Sequence, residues 1–301
     1  MELSLDDEVI CGHLVTSQTK KLWSIQMDIS SKLIEVCNKY GIRLWAEGGT
    51  LLGAVRHHGY IPWDDDIDFV MMRNDYEKFK EIGPSEFHDP FFFQSFNTDN
   101  WGGGLVRICR TDTTMIDDRY KLLKNRNYGF FIDVIVMDGI PDNERFFVRE
   151  YRKVELMMRL LGRYCEYKSD YTNLRAIIRT IAVKLLFTVL NPQTIHDKVI
   201  ELLSNYDINN NQLCAKLQLE SRFCIGPKAI NLRRCSWYSD TVWLPFFNMM
   251  LPAPKEWDKV LVSQFGEEYM TPKKDPNWHR IAIIDTDTPY SEILKELERE
   301  S

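Results

Sequence analysis

The chain has 301 residues, of which 44% are hydrophobic and 27% are charged, values typical of a soluble globular protein with a sizeable core. Its formal net charge of −6 argues against a general nucleic-acid binder, and no apolar run is long enough to span a bilayer. The acidic first residues do not resemble a signal peptide. Seven cysteines without a CxxC pair argue against a disulfide scaffold or zinc cluster and favour a cytoplasmic setting.

The first part of the chain predicts a long helix, a short strand and a second helix. Apolar residues recur at helical spacing over residues 22–40, and residues 42–46 form a candidate strand. A glycine turn at 48–50 then leads into a short helix over 51–56, for which Thr50 is the candidate N-cap. Glycines between a strand and a helix let backbone N–H groups approach a phosphate, and the helix N-terminus favours its negative charge.

Four aspartates within five residues are the most informative feature of the chain. Asp66 and Asp68 flank Ile67 and lead into a buried strand, where side chains two positions apart point to the same face. Two carboxylates so placed repel each other unless a cation lies between them, and Mg²⁺ or Mn²⁺ is the expected cation. Asp64 and Asp65 are expected only to shape the turn or to tune the electrostatic field. The alternative is a solvated acidic loop, but the apolar strand that follows favours a metal site.

The rest of the chain predicts further helices and strands. Helices are expected at 76–82, 143–203 with a break at Pro192 and a restart at Thr194, 255–265 and 291–301. Strands are expected at 105–109, at 129–137 with Asp138-Gly139 as its end, and in short pieces over 222–244.

Asp133 lies in the middle of an apolar strand, between Ile132 and Val134. A lone carboxylate is costly to bury without a partner, and a metal shared with Asp66 and Asp68 would supply one. The alternative is a structural carboxylate that accepts backbone hydrogen bonds. A phosphate turn, a paired carboxylate and a third carboxylate on another strand match the pattern of the nucleotidyltransferase superfamily.

The run from Glu47 to Asp68 resembles the signature of the LicD family, which includes bacterial phosphocholine transferases and is related to the fukutin-type ribitol-phosphate transferases. Two further blocks are similar to those of the family. They are Arg107 with residues 129–141, and the segment from Pro252 to His279. Together the three blocks extend over roughly residues 25–280.

This resemblance implies one catalytic domain with a mixed α/β, nucleotidyltransferase-like core sheet flanked by helices. The core would comprise residues 22–142 and 216–285, with a helical insertion at 143–215. The implied reaction moves a phospho-alcohol, most commonly the phosphocholine of CDP-choline, to a sugar hydroxyl of a lipopolysaccharide, teichoic acid or capsule precursor, and releases CMP. Two alternatives remain: a true nucleotidyltransferase acting on a sugar or alcohol phosphate, and a non-catalytic glycan-binding protein.

Each candidate residue has a role and a structural alternative. Asp66 and Asp68 would hold the metal, and Asp133 would be the third ligand or the base. Six residues are expected to contact phosphate: Gly48, Gly49, Thr50, Arg56, His57 and Arg107. Their structural alternatives are helix capping, salt bridges or ordering of the acidic turn. His279 is expected to be a core or helix-end histidine.

A choline cargo would need aromatic faces around its quaternary ammonium. Trp63 and Trp101 are the candidates, with Tyr60 and Trp45 also available, although such aromatics often belong to the core. The basic and apolar segment 171–190 could lie on the inner membrane leaflet, beside a lipid-linked oligosaccharide acceptor. Its alternative is a helix that packs its apolar side into the core.

Overall fold

Helices alternate with the strands of a mixed β-sheet in this protein. The computed structural model describes residues 3–101, 105–117, 122–123, 125–140, 144–165, 171–204, 212–218, 232–273 and 281–300. The strands are β1 (Glu8–Ile10), β2 (His13–Val15), β3 (Trp45–Ala46), β4 (Asp68–Met72), β5 (Phe91–Gln94), β6 (Val106–Arg110), β7 (Thr114–Asp117), β8 (Phe131–Ile140), β9 (Leu213–Ala215), β10 (Arg233–Arg234), β11 (Thr241–Phe246), β12 (Met249–Pro254) and β13 (Ile281–Asp285). The helices are α1 (Ser17–Tyr40), α2 (Gly48–Arg56), α3 (Arg73–Glu86), α4 (Phe96–Asp99), α5 (Glu144–Cys165), α6 (Leu174–Val189), α7 (Pro192–Ser204), α8 (Trp257–Phe265) and α9 (Tyr290–Glu300).

The central sheet is organised around the parallel pair β4 and β8. β3 lies antiparallel on the other side of β4. The first half of β8 pairs antiparallel with β6, which pairs in turn with β5. The last residues of β8 pair with β9, and β10 lies outside β9. The predicted mixed α/β fold, with a core sheet and accompanying helices, is therefore confirmed.

Both faces of the β4–β8 pair are covered. Phe69, Val70 and Met71 are buried in succession on β4, and residues 134–137 are buried in the same way on β8. Successive side chains of a strand point to opposite faces, so unbroken burial requires a cover on each side. α1 packs against β6 and β8, while α3 packs against β4, β5 and β8. This packing explains why the two segments read as continuous apolar runs in the sequence.

The long helix predicted over 22–40 is confirmed as α1 and begins earlier, at Ser17. The Thr16 side chain caps its start by accepting a hydrogen bond from the Thr19 N–H. Gly41 ends it in the left-handed conformation, with φ of 62°, where glycine carries no steric penalty.

Two predicted element boundaries are wrong, namely the start of α2 and the end of β8. α2 begins at Gly48 rather than at residue 51, and Thr50 does not cap it. Instead, the Thr50 hydroxyl accepts a hydrogen bond from the Asp68 N–H at 2.9 Å and so ties α2 to β4. The strand predicted to end at Asp138 continues to Ile140, because Asp138 pairs with β9 and forms an ion pair with buried Arg73.

The predicted helical region after β8 is present, and its described residues form the three helices α5, α6 and α7. The helices break just before Pro192, as predicted, but α7 begins at Pro192 rather than at Thr194. Proline is favoured in the first helical turn, where its missing N–H would have no helical partner. α5, α6 and α7 pack around two smaller cores, one formed by Ile140, Tyr151, Val154, Val199, Leu203, Ala215 and Leu217 and the other by Phe96, Leu161, Cys165, Val183 and Phe187.

Among the described helices, none is both long and apolar enough to cross a membrane. The division into a core at 22–142 and 216–285 and an insertion at 143–215 stays a prediction. His279 lies outside the described residues.

Candidate active site

A row of polar side chains crosses the central sheet where β4 begins. Asp68 on β4 is in register with Asp133 on β8, which is in register with Arg107 on β6. Gln94 on β5 continues the row beside Arg107. Directly opposed residues of neighbouring strands point to the same face of a sheet. Asp68 and Asp133 therefore project together, as the sequence predicted.

The acidic turn before β4 contributes more carboxylates than the sequence predicted. Carboxylate oxygens of Asp64, Asp65 and Asp66 lie within 4.8 Å of one another. β4 starts only at Asp68, so Asp66 belongs to this turn rather than to the strand. Asp64 and Asp65, predicted to shape the turn or tune the electrostatic field, also place their oxygens in a group that could hold a metal ion.

Two residues of α1 hold the acidic turn by its backbone. The Trp23 indole N–H donates to the Asp64 carbonyl, and the Gln26 amide donates to the Asp65 carbonyl, each at 2.9 Å. Both side chains are buried. Sequence reasoning placed the helix but missed these contacts, since nothing in its periodicity distinguishes Trp23 and Gln26 from other buried positions.

The carboxylates raise one another's proton affinity. Burial, together with the nearby charges of Asp66 and Asp133, raises the pKa of Asp68 well above its ordinary value, although Lys216 partly offsets the effect. Burial and the charges of Asp66 and Asp65 raise the pKa of Asp64 to about 8. Such a group cannot be fully ionised at neutral pH without a compensating cation.

The start of α2 lies against this acidic group. Gly48 adopts the left-handed conformation with φ of 56°, and a methyl group added there would lie 3.9 Å from Asp68 Oδ2. A methyl group at Gly49 would overlap the Asp64 carboxylate. The two glycines therefore allow the first turn of a helix, whose N–H groups favour anions, to approach the carboxylates closely.

Glu47, immediately before α2, is a site residue that sequence reasoning missed. It is almost fully buried and is bound by Arg233 at 2.6 Å and by Lys216 at 3.0 Å. Burial opposes its ionisation, but the charges of Arg233 and Lys216 prevail and lower its pKa to about 2. Its N–H also donates to the Asp68 carbonyl at 3.0 Å. Glu47 thus joins the C-terminal part of the chain to the start of α2 and to β4.

Arg107 is positioned by aromatic rings and by Asp133. Its guanidinium lies 3.9 Å from the ring centre of Trp101 and 3.6 Å from that of Phe131, and its Nε donates to Asp133 Oδ1 at 2.7 Å. Arg107 was predicted to contact phosphate, with a salt bridge as the alternative, and here it forms that salt bridge with Asp133. These contacts also fix the orientation of Asp133.

A cavity of about 250 Å³ opens beside this ion pair. Its lining includes Asp66, Asp133, Arg107 and Trp101, so part of the polar row and one aspartate of the acidic turn face an aromatic ring there. The remaining described lining residues are Gln26, Gln94, Met115, Asp117, Arg126, Asn127, Tyr128, Gly129 and Phe131. The cavity is smaller than the roughly 300–1,000 Å³ typical of small-molecule sites, so it fits one part of a substrate.

Arg56 and His57 make contacts away from the carboxylates. Arg56 donates through Nη1 to the Tyr269 carbonyl at 2.7 Å and through Nε to His57 Nε2 at 2.9 Å. Burial and the neighbouring Arg56 lower the pKa of His57 to about 4. Arg56 therefore anchors the end of α2 to the C-terminal segment, through a hydrogen bond to a carbonyl rather than through the predicted alternative of a salt bridge.

The predicted aromatic cage is dispersed. Trp101 lines the cavity, whereas Trp63 packs edge-on against His13, with ring centres 6.2 Å apart. Trp45 is fully buried, and Tyr60 stacks on Trp23 within the core. Of the four aromatic residues considered, Trp101 is the one in the described cavity lining.

Comparison with known proteins relates part of this fold, including part of the site, to a nucleotidyltransferase domain. Residues 41–127 match the family model described as LicD/FKTN/FKRP, nucleotidyltransferase domain. The predicted LicD-family relationship is thereby confirmed for this segment, which contains α2, the acidic turn, β4 and Arg107.

Curated relatives point to the same family. The chain is 32% identical over 128 residues to the lipopolysaccharide cholinephosphotransferase LicD of Haemophilus influenzae. The aligned segment covers 40% of this chain and 46% of that protein. The chain is 30% identical over 156 residues to an uncharacterised protein of Rickettsia prowazekii, covering 50% and 53%. It is also 39% identical over 54 residues to human ribitol 5-phosphate transferase FKRP, covering 18% and 11%. The chain therefore spans about half the length of the first two relatives.

Proposed function

We propose that this protein transfers a phospho-alcohol from a CDP-alcohol to a sugar hydroxyl of a cell-surface glycan precursor and releases CMP. Phosphocholine from CDP-choline is the first candidate cargo, and a lipopolysaccharide, teichoic acid or capsule precursor is the candidate acceptor. The observation that carries the proposal is the in-register pair of Asp68 and Asp133, which lies beside the acidic turn and the start of α2. The names of the H. influenzae and human relatives support the same chemistry.

The donor set fits Mg²⁺ or Mn²⁺. It consists of carboxylate oxygens, which hard dications prefer, and the raised pKa values of Asp64 and Asp68 reflect burial together with an excess of negative charge. Asp66 and Asp68 would hold the ion, with Asp64, Asp65 or Asp133 completing its ligands. When bound, the dication would neutralise charge on the donor phosphates.

The chain's own groups can bind the donor and handle the proton. The first turn of α2, at Gly48 and Gly49, lies against Asp68 and Asp64, so its backbone N–H groups are our candidates for binding the donor diphosphate. Thr50 acts indirectly, because its hydroxyl fixes the backbone of Asp68. Asp133 lines the cavity and is oriented by Arg107, so it is our candidate for the base that accepts the proton of the acceptor hydroxyl.

Trp101 alone is a poor choline cage. Arg107 lies over its ring at 3.9 Å and so competes for the surface that a quaternary ammonium would use. We therefore expect the enzyme to discriminate among cargo alcohols weakly through cation–π contacts, and we propose testing CDP-ribitol and CDP-glycerol beside CDP-choline.

The experiment supplies each CDP-alcohol separately with Mg²⁺ and candidate glycan acceptors and measures CMP release and phospho-alcohol incorporation. The proposal predicts CMP with at least one donor, loss of CMP in Asp66→Asn and Asp68→Asn, and normal turnover in the surface control Asp287→Asn. Failure to bind or turn over any CDP-alcohol would contradict the proposal.

The family model's nucleotidyltransferase description supports a second candidate function, in which the nucleotide is moved instead of the cargo. The same carboxylates would serve that reaction. Incubation with CTP and a sugar or alcohol phosphate would then release pyrophosphate, and the two products separate the candidates. A non-catalytic glycan-binding protein would bind a sugar ligand and release neither product.

A further inference from the structure

The outward face of α6 is apolar. Five aliphatic residues recur along it at helical spacing and are each between 49% and 85% exposed: Leu174, Ile178, Ile181, Leu185 and Val189. Ala176, Val183 and Phe187 on the opposite side are buried. We call the five exposed residues the α6 stripe. The sequence left open whether this segment packs into the core, and the structure shows that only its narrower apolar side does so.

Such an arrangement reverses that of an ordinary surface helix. A helix at the surface of a soluble protein directs its apolar side to the core and its polar side to water. Single exposed aliphatic residues are common, but a continuous apolar row of this kind marks a surface that something covers. The charge around the stripe indicates what covers it.

Cations border the α6 stripe on both sides. By helical position, Arg175 and Arg179 lie along one edge and Lys184 along the other, and α6 contains no acidic residue. All three side chains are on exposed residues. This local positive charge occurs in a chain whose net charge is −6.

The basic edge continues onto α5, which packs against α6. Burial and the nearby charges of Arg179 and Arg159 lower the pKa of Arg163, so these guanidinium groups lie close enough to repel one another. Glu155 binds Arg159 and compensates part of this charge. An anionic surface placed over α5 and α6 would relieve the repulsion.

We propose that α6 lies in the interface of an anionic membrane, with the α6 stripe inserted among the acyl chains and its flanking cations against lipid phosphates. An outward apolar row between cationic edges is the pattern of a helix that lies on a membrane rather than across it. The positive edges favour a lipid surface rich in phosphate groups over an apolar protein partner, which would have no need of them.

The cavity contacts α5, the helix that packs against α6. Arg126 lines the cavity and donates to the Cys165 carbonyl at the end of α5 at 3.3 Å. Its guanidinium also lies 5.4 Å from the ring centre of Trp101. The cavity and α6 thus both adjoin α5. That a lipid-linked glycan is the acceptor rests on the proposed function, whereas membrane binding itself does not.

The test measures co-sedimentation of the full chain with vesicles. Phosphatidylcholine vesicles containing phosphatidylglycerol are compared with pure phosphatidylcholine vesicles, at low and high salt. We expect binding to the anionic vesicles, weaker binding at high salt, and at least about tenfold weaker binding of the double variant Ile178→Ser/Leu185→Ser, because two aliphatic side chains no longer enter the interface. The double variant Arg175→Gln/Lys184→Gln is expected to lose the preference for anionic lipid.

The matched control is Trp243→Ser/Met250→Ser, which removes two exposed apolar side chains from β11 and β12 and is expected to bind like the wild type. Circular dichroism checks that every variant is folded. A wild-type chain that stays in the supernatant with anionic vesicles would overturn the proposal, as would unchanged binding of the Ile178→Ser/Leu185→Ser variant. Sedimentation velocity is run in parallel, and a dimer that this variant dissociates, without vesicle binding, would assign the stripe to self-association instead. CMP release with a soluble acceptor reports on the proposed reaction independently.

Discussion

The polar row on the sheet and the outer face of α6 both raise the free energy of the folded chain, for opposite reasons. Around the row, carboxylates are crowded and partly withdrawn from water, and their raised pKa values record the cost. On α6, aliphatic side chains face water, and the unfavourable free energy comes from their hydrophobic surface. A chain tolerates such local costs where a ligand offsets them. In our two proposals, a dication and phosphates offset the cost in the first region and a lipid surface offsets it in the second.

The largest expected effect is on catalysis at the sheet. Asp68→Asn removes a carboxylate from the proposed metal group while keeping its shape, so kcat should fall by about a thousandfold or more. The thermal midpoint should not fall, because the substitution also removes charge repulsion. CMP release and thermal unfolding are measured together. Unchanged turnover would break the assignment of the sheet region to metal chemistry.

Glu47→Gln tests whether the buried ion pairs behind the site hold it together. Because Arg233 and Lys216 would lose their carboxylate, we expect unfolding free energy to fall by about 3–5 kcal/mol. Glu256→Gln, which disrupts an exposed pair with Lys259, is the control and should cost less than about 1 kcal/mol. Denaturant unfolding measures both. Equal losses in the two variants would contradict the role given to Glu47.

The same ion pairs predict an acid limit of stability. The pKa of Glu47 is about 2 in the folded protein, below its ordinary value of 4.5. A lowered pKa stabilises the fold above pH 4.5, and this stabilisation is lost as the pH falls from 4.5 towards 2. Unfolding free energy should therefore drop more steeply over that range in the wild type than in Glu47→Gln. If unfolding free energy depends on pH in the same way in both proteins, ionisation of Glu47 does not contribute to stability.

The smallest effect is expected from removing the α6 stripe. The variant Ile178→Ser/Leu185→Ser changes only exposed side chains, so its unfolding free energy should stay within about 1 kcal/mol of the wild type. Its CMP release with a soluble acceptor should also be unchanged. Calorimetry and the turnover assay check both. A large loss of stability would mean that the stripe packs against the protein and would erase the contrast between the two regions.

Much of the site was predictable because its information is local. The Glu47–Asp68 run carried the resemblance to the LicD family that the match over residues 41–127 supports, and the apolar segments around Asp68 and Asp133 indicated two buried strands, which the structure pairs in register. The partners that position these groups come from distant segments. Arg233 is 186 residues from Glu47, and no local periodicity encodes such a pairing.

The sequence also could not predict which partner a long side chain contacts. Arg56 donates to the Tyr269 carbonyl, and Arg107 binds Asp133, although both could equally have extended towards a phosphate. Thr50 had a helix-capping pattern but bonds to β4 instead. In each case tertiary packing selected one of several chemically reasonable partners.

The binding of Mn²⁺, a paramagnetic stand-in for Mg²⁺, tests the central claim most directly. Electron paramagnetic resonance of the wild type, titrated in the presence of CDP-choline, should show bound Mn²⁺ that Mg²⁺ displaces. Asp66→Asn and Asp68→Asn should each weaken this binding strongly, whereas Asp287→Asn should leave it intact. If Mn²⁺ binds equally well to all four proteins, or to none of them, the carboxylates do not form a metal site and the account of this protein as a metal-dependent transferase is wrong.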